Sequence, residues 1–166
     1  MFSDPVKNLK MFALKENDIV ADLGAGTGYY SVAAGKMVPR GKGYAVEVVK
    51  DFLTTIKNKV REAHLSNVEC LWGNVEKLGG TKIGNNIVDA VIASNILFQV
   101  EDKNKFIEEI KRILKPKGKV LLIDWTAEPG GASSVMKLKT AIPKNKAREI
   151  FEAKGFALER EINAGG

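Results

Sequence analysis

The chain has 166 residues, 45% of them hydrophobic and 28% charged, with a formal net charge of +6. This suits one soluble domain with a sizeable core and excludes a disordered chain. No apolar run nears the roughly 18 residues of a membrane span, Met1-Phe2-Ser3-Asp4-Pro5 lacks the layout of a signal peptide, and the single cysteine, Cys70, excludes an internal disulfide. One cytoplasmic domain over residues 1–166 is expected, with Cys70 a small buried strand residue.

Val6 to Phe12 is a short amphipathic opening, and a polar turn at Lys15 to Asp18 precedes a first strand, Ile19 to Leu23, apolar enough to be buried on both faces. Gly24, Gly26 and Gly28 then fall at alternate positions. Glycine tolerates the positive φ of a tight strand-to-helix turn and lets backbone approach a ligand closely. Tyr29 to Met37 is helical, closed by Pro39-Arg40-Gly41, and Gly43 to Val48 is a second strand with Glu47 near its end. Phe52, Leu53, Ile56, Val60 and His64 repeat at helical spacing, His64 serving as a cap at the negative helix end. A third strand follows at Val68 to Leu71.

Gly73 to Asn86 is a polar connection, and Val88 to Ala93 is again a buried strand, with Asp89 a structural residue at its start. Phe106, Ile107, Ile110, Ile113 and Leu114 form one helical stripe that ends at Lys115-Pro116-Lys117-Gly118. Lys119 to Trp125 is a fifth strand, then come a loop at Glu128 to Ser134, a helix around Lys144 to Lys154 and a sixth strand from Phe156 to Ile162. Between Gly130 and Ile150 the basic residues Lys137, Lys139, Lys144, Lys146 and Arg148 face one acid, Glu149. They form either a solvated surface or a face for an anionic partner.

Strands separated by helices of this length need crossover connections, which implies an α/β fold with a mostly parallel sheet covered by helices on both faces. Ligands of such sheets bind beyond the carboxyl ends of the strands. That rule brings Asp22 to Gly28, Glu47, Gly73-Asn74, Ser94-Asn95 and Asp124-Trp125 to one crevice. A nucleoside triphosphate is disfavoured because no Gly-Lys-Ser/Thr follows the glycines. A dinucleotide is the rival, but its G-x-G-x-x-G spacing differs from Gly24-Ala25-Gly26-Thr27-Gly28, and Asp22 beside the loop suits a cationic ligand better than a pyrophosphate.

Asp22-Leu23-Gly24-Ala25-Gly26-Thr27-Gly28 resembles the first motif of the S-adenosylmethionine-dependent methyltransferases with the seven-stranded Rossmann-like fold. Ala45-Val46-Glu47 resembles the second-strand end with its ribose-binding acid, and Gly73-Asn74-Val75-Glu76-Lys77-Leu78 resembles the adenine-contacting segment. Residues 88–95 and 113–119 are similar to the family's fourth strand and its helix-to-fifth-strand turn. The likeness is nearest to the small-molecule group that includes ubiquinone and menaquinone biosynthesis methyltransferases, and it covers Leu14 to Trp125.

This resemblance implies an α/β/α sandwich with S-adenosylmethionine as cofactor. The backbone at Gly24, Ala25, Gly26 and Gly28 would approach the amino-acid end of that cofactor, with Asp22 acting on its ammonium group. Glu47 would accept two hydrogen bonds from the ribose, Val48 would pack on the adenine, and Asn74 would replace the family's common Asp as acceptor for the adenine amino group. Val75 would offer backbone to the adenine edge, Ser94 would line the far side near the methyl group, and one of Tyr29 and Tyr30 would contact the cofactor while the other is core. Phe98 and Trp125 are either core or acceptor-pocket wall.

The sequence holds no metal constellation, and Asp124 is the best-placed general base if one is used. Six strands are counted and the family's seventh is missing, so the expectation is a short or truncated chain whose sheet edge is completed by another subunit, as in a homodimer. The expected activity is methyl transfer to a small-molecule acceptor by in-line displacement. RNA or protein methylation through the basic late segment, and a non-catalytic S-adenosylmethionine-binding module, are the alternatives.

Overall fold

The computed structural model describes residues 4–124, 142–162 and 164. Its elements in chain order are α1 (Pro5–Phe12), β1 (Ile19–Leu23), α2 (Tyr29–Met37), β2 (Lys42–Glu47), α3 (Lys50–Glu62), β3 (Val68–Trp72), β4 (Val88–Ser94), α4 (Lys103–Ile113), β5 (Leu114–Ile123) and α5 (Lys144–Glu152). The strands form one sheet in the order β3-β2-β1-β4-β5, and every adjacent pair is parallel. This is the Rossmann-like arrangement expected, with the chain reversing direction across the sheet after β3.

β1 is the central strand, and its residues from Val20 to Leu23 are all buried. Successive side chains point to opposite faces. Val20 packs with Ala90 and Ile92 under Leu9 of α1 and Tyr30, Ala33 and Ala34 of α2, while Ala45 meets Ile56 and Val60 of α3. On the other face Ala21, Leu23, Val46, Val91 and Ala93 pack against Phe106, Ile107, Ile110 and Ile113 of α4 and Phe151 of α5. Both faces are therefore covered by helices, and the polar exceptions in β1 and β2 fall at their carboxyl ends.

Local signals explain the boundaries. Asp4 caps α1 through Lys7 N–H, with Pro5 in the first turn, and Asp102 caps α4 through Lys105 N–H. β5 begins immediately after α4 rather than at Lys119. Val88 pairs with Leu114 and Ala90 with Lys119, so the Lys115-Pro116-Lys117-Gly118 turn is absorbed as a bulge with Lys117 at φ 68°. His64 lies just past α3 in the left-handed region, its N–H donating to Arg61. Cys70 sits in β3 beside the α3 core, where burial pushes its thiol above the usual value.

One expected element is corrected. Residues 156–162 form no strand, so the described sheet has five strands and not six. Leu158 is 45% exposed, and the consecutive charges Glu159-Arg160-Glu161 have no apolar alternation to bury. Glu159 and Glu161 reach Lys119 and Lys144 instead, at 3.6 and 2.8 Å. Trp125 and the Glu128 to Ser134 loop lie outside the described residues.

The long connection between β3 and β4 is held by one buried acid. Glu109 of α4, fully buried, accepts from the N–H groups of Gly79 and Thr81 and from the Thr81 hydroxyl. Arg112 pairs with it at 2.6 Å and continues to Asn85 and to the Ile83 carbonyl. Burial alone would raise the Glu109 carboxyl, but Arg112 and the backbone donors outweigh that and hold it below the ordinary 4.5. Its contribution to stability is therefore complete above that pH and lost as pH falls through the native-state value. Glu109→Gln leaves Arg112 without a counter-ion, and urea unfolding at pH 7 should show a loss of about 3 kcal/mol; a loss within about 0.5 kcal/mol would mean that the network is incidental.

Candidate functional site

β1 and β2 end side by side, Leu23 opposite Val46, and the loop from Gly24 to Gly28 folds across both strand ends. Gly24, Gly26 and Gly28 all have positive φ, at 69°, 58° and 92°. Two of them do different work. A Cβ on Gly24 would fall 2.0 Å from the Ile96 side chain, so the space is filled by a residue of the segment after β4 and not by ligand. A Cβ on Gly26 would meet nothing within 4 Å, and it is there that backbone faces open space.

The loop spends its donors inward. Gly24 N–H and Ala25 N–H both donate to the Val46 carbonyl, at 2.9 and 3.0 Å, and Gly28 N–H donates to Ala25. Gly26 N–H donates to Glu47 Oε1 at 2.9 Å. Glu47, 7% exposed at the end of β2, also accepts from Val48 and Val49 N–H through Oε2, at 2.8 and 2.9 Å. A carboxylate has about four acceptor positions, so three backbone donors leave Oε1 with one more. Four of the loop's N–H groups, those of Gly24, Ala25, Gly26 and Gly28, are thus committed within the protein, and a ligand here faces the Glu47 carboxylate with few amide donors left. Such a surface repels a phosphate and takes a group that donates, such as an ammonium or a hydroxyl.

Asp22 adds to that character. It is the penultimate residue of β1, on the α2 side and 3% exposed, with Ser31 Oγ donating to its Oδ2 at 2.7 Å. Burial pushes its carboxyl up to about 7, Glu47's charge adds to the rise, and the Ser31 hydroxyl opposes it.

The remaining candidates take their places around this loop. Tyr29 opens α2 at 68% exposure with Lys59 Nζ 3.6 Å from its ring centroid, whereas Tyr30 is core and accepts from Asn8 Nδ2. Val48 stands 55% exposed just past Glu47, and its carbonyl accepts from the Trp72 indole at 2.9 Å. Asn74 uses Oδ1 to accept from Glu76 N–H at 2.9 Å, closing a tight turn, and the Val75 side chain points into the core. Ser94 ends β4 opposite Ile123 and accepts from Asn95 Nδ2 at 3.4 Å. Asp124 follows β5 and accepts from Phe98 N–H at 3.3 Å, holding the half-buried Phe98 segment across the strand ends. Asp89 stands at the opposite end of β4, where it accepts from Ile19 N–H and pairs with Lys115, so it belongs to the scaffold.

Three side-chain contacts around the site go beyond the sequence motifs. Ile96 fills the hollow at Gly24, and Glu76 accepts from Glu101 N–H at 2.6 Å and Asp102 N–H at 3.1 Å. Glu109 anchors the 79–81 turn behind them. Only Glu109 had a local signal, since its helical neighbours Phe106 and Ile113 are both apolar.

The profile of a family described as "Methyltransferase domain" matches residues 14–155. The demethylmenaquinone methyltransferase of Listeria welshimeri is 29% identical over 124 residues, which are 74% of this chain and 51% of that protein. The chain thus spans about half the length of the curated relatives it matches. The crystal structure of a SAM-dependent methyltransferase from Aquifex aeolicus superposes with a TM-score of 0.87 at 31% identity, covering 98% of this chain and 85% of that one. Phosphoethanolamine N-methyltransferase 2 of Haemonchus contortus, solved with S-adenosylhomocysteine, shares the fold with a TM-score of 0.78 at 21% identity, over 92% of this chain and 36% of that one.

The raised Asp22 carboxyl has a consequence for stability. Because its native value lies above the ordinary 3.8, its contribution is present in full below that pH and is lost as pH rises through about 7. Asp22→Asn should match the parent near pH 4 and exceed it at pH 8 by an amount on the order of 4 kcal/mol. Urea titrations at the two pH values measure this, and an Asn variant no more stable at pH 8 would show that the Asp22 site is wetter than described.

Proposed function

The chain belongs to the S-adenosylmethionine-dependent methyltransferase family with the Rossmann-like fold, and from that premise we propose that it transfers a methyl group to a small-molecule acceptor by in-line displacement. The observation that carries this reading is the inward-turned loop. The N–H groups of Gly24, Ala25, Gly26 and Gly28 are committed to Val46, Glu47 and Ala25, so the remaining chemistry suits a ligand with an ammonium group and a ribose diol. S-adenosylmethionine, the cofactor of the family, has both, and it supplies a methyl group already activated on a sulfonium.

The residues take roles that follow from their places. Asp22 and the loop carbonyls form the negative end that receives the ammonium. Glu47 takes a ribose hydroxyl on the acceptor position left on Oε1; a second hydroxyl displaces one of the backbone donors or shares that oxygen. The exposed Val48 supplies apolar surface for the adenine, and Gly73 to Val75 its edge. Tyr29 flanks the loop. Ser94 and Asp124, at neighbouring strand ends, face the acceptor, and Asp124 serves as base only if the acceptor gives up a proton as it attacks. The protein's share of catalysis is alignment and exclusion of water, which can lower the barrier by several kcal/mol.

A small-molecule acceptor is supported by the demethylmenaquinone methyltransferase relatives at 29% identity. Among the described residues, the late basic charges are matched by acids. Lys144, Lys146 and Arg148 pair with Glu161, Glu149 and Glu152, and Lys137 and Lys139 lie outside the described residues.

Calorimetric titration tests the proposal. S-adenosylmethionine and S-adenosylhomocysteine should bind at micromolar concentrations and NAD should not. Glu47→Ala should weaken both adenosyl ligands by roughly 10- to 100-fold, the range for losing hydrogen bonds to a charged group. Binding of NAD in place of the adenosyl ligands would refute the reading.

A further inference from the structure

The two segments that wall the crevice on the α4 side come from strands on opposite flanks of β1 and β2. Residues 73–78 follow the edge strand β3, and residues 95–102 follow β4. Their side chains share one apolar cluster, which takes Val75 from the first segment and Ile96, Leu97 and Val100 from the second. Apolar contact is compatible with sliding. The polar link between them is directional, and it passes through a single carboxylate.

Glu76 Oε1 accepts from both Glu101 N–H and Asp102 N–H, at 2.6 and 3.1 Å. Its own N–H donates to Asn74 Oδ1. One residue therefore closes the Asn74 turn through its backbone and grips the start of α4 through its side chain. The carboxylate sits at the positive end of that helix, where negative charge is favoured. Asp102, the second amide it holds, is also the residue that caps α4. From the other end of the 95–102 segment, Ile96 reaches under Gly24 and Asp124 holds Phe98 N–H. The segment is thus pinned at the glycine loop, at β5 and at Glu76.

We propose that Glu76 is a positioning residue whose carboxylate latches the adenine-side segment 73–78 to the acceptor-side segment 95–102, so that cofactor bound on one side sets the pocket shape on the other. The proposal rests on the reading of residues 73–75 as the adenine side of the site. It assigns the Glu76 side chain a part in coupling two subsites, not a contact with either ligand. Glutamine at the position keeps an acceptor oxygen of the same reach, whereas alanine removes it.

The test uses S-adenosylhomocysteine on the full chain, by calorimetry and amide hydrogen exchange, with Glu76→Ala and Glu76→Gln. In the parent, ligand should slow exchange at Glu101 and Asp102. In Glu76→Ala that slowing should vanish and affinity should fall about 5- to 10-fold, within the usual range of coupling between sites, while Glu76→Gln restores most of both. A merely structural residue would change the ligand-free unfolding temperature and leave the ligand-dependent slowing in place. Equal affinity and equal ligand-dependent protection in parent and Glu76→Ala overturn the latch alone. A folded parent that does not bind S-adenosylhomocysteine overturns the adenine-side reading and the latch together.

Discussion

Three backbone N–H groups converge on the Glu47 carboxylate, one from the glycine loop after β1 and two from the chain leaving β2. Everything at the carboxyl edge of the sheet is arranged around that contact. It fixes Gly26 over the end of β2, while the Gly24 and Ala25 N–H groups turn inward to the Val46 carbonyl. It also puts a second carboxylate near Asp22, so that Glu47's charge adds to the rise that burial already imposes on the Asp22 carboxyl. A ligand bearing positive charge relieves that repulsion, while a phosphate would add to it. The same fold binds pyrophosphates elsewhere with its loop donors pointing outward. The choice between the two ligand classes is made by where a few N–H groups point.

The walls of the crevice depend on acids of a different kind. Glu109 and Glu76 hold the connection after β3, one from beneath through Arg112 and Thr81 and the other from the start of α4. Glu76, on the connection, spends its carboxylate on the amides at the start of α4, and Glu109 spends its own on backbone amides of the connection, a segment with no regular structure of its own. Such a segment has few internal hydrogen bonds to set its path. Contacts borrowed from α4 supply the order that such a segment lacks.

The scaffold and the site differ in how far they are legible from sequence. β1, the glycines, Glu47 and the α4 stripe are local patterns, and each is where periodicity and spacing put it. Phe156 and Leu158 alternate with other residues as in a strand, but the charges at 159–161 and their partners Lys119 and Lys144 decide otherwise. The Lys115 to Gly118 turn read as a break between helix and strand, but the ladder resumes across it as a bulge. Residues that act over long sequence distance were invisible. Ile96 fills a hollow under Gly24, 72 positions earlier, and Glu76 grips amides 25 and 26 residues on. No local pattern marks a side chain whose partner is set by the sheet order.

The direct measurement of the central claim is a crystal structure with S-adenosylhomocysteine bound. The account predicts the ligand's ammonium against the loop carbonyls beside Asp22 and a ribose hydroxyl on Glu47 Oε1, with Gly24 and Ala25 N–H still donating to Val46. A ligand held instead by those N–H groups, with its ammonium away from Asp22, would contradict the account.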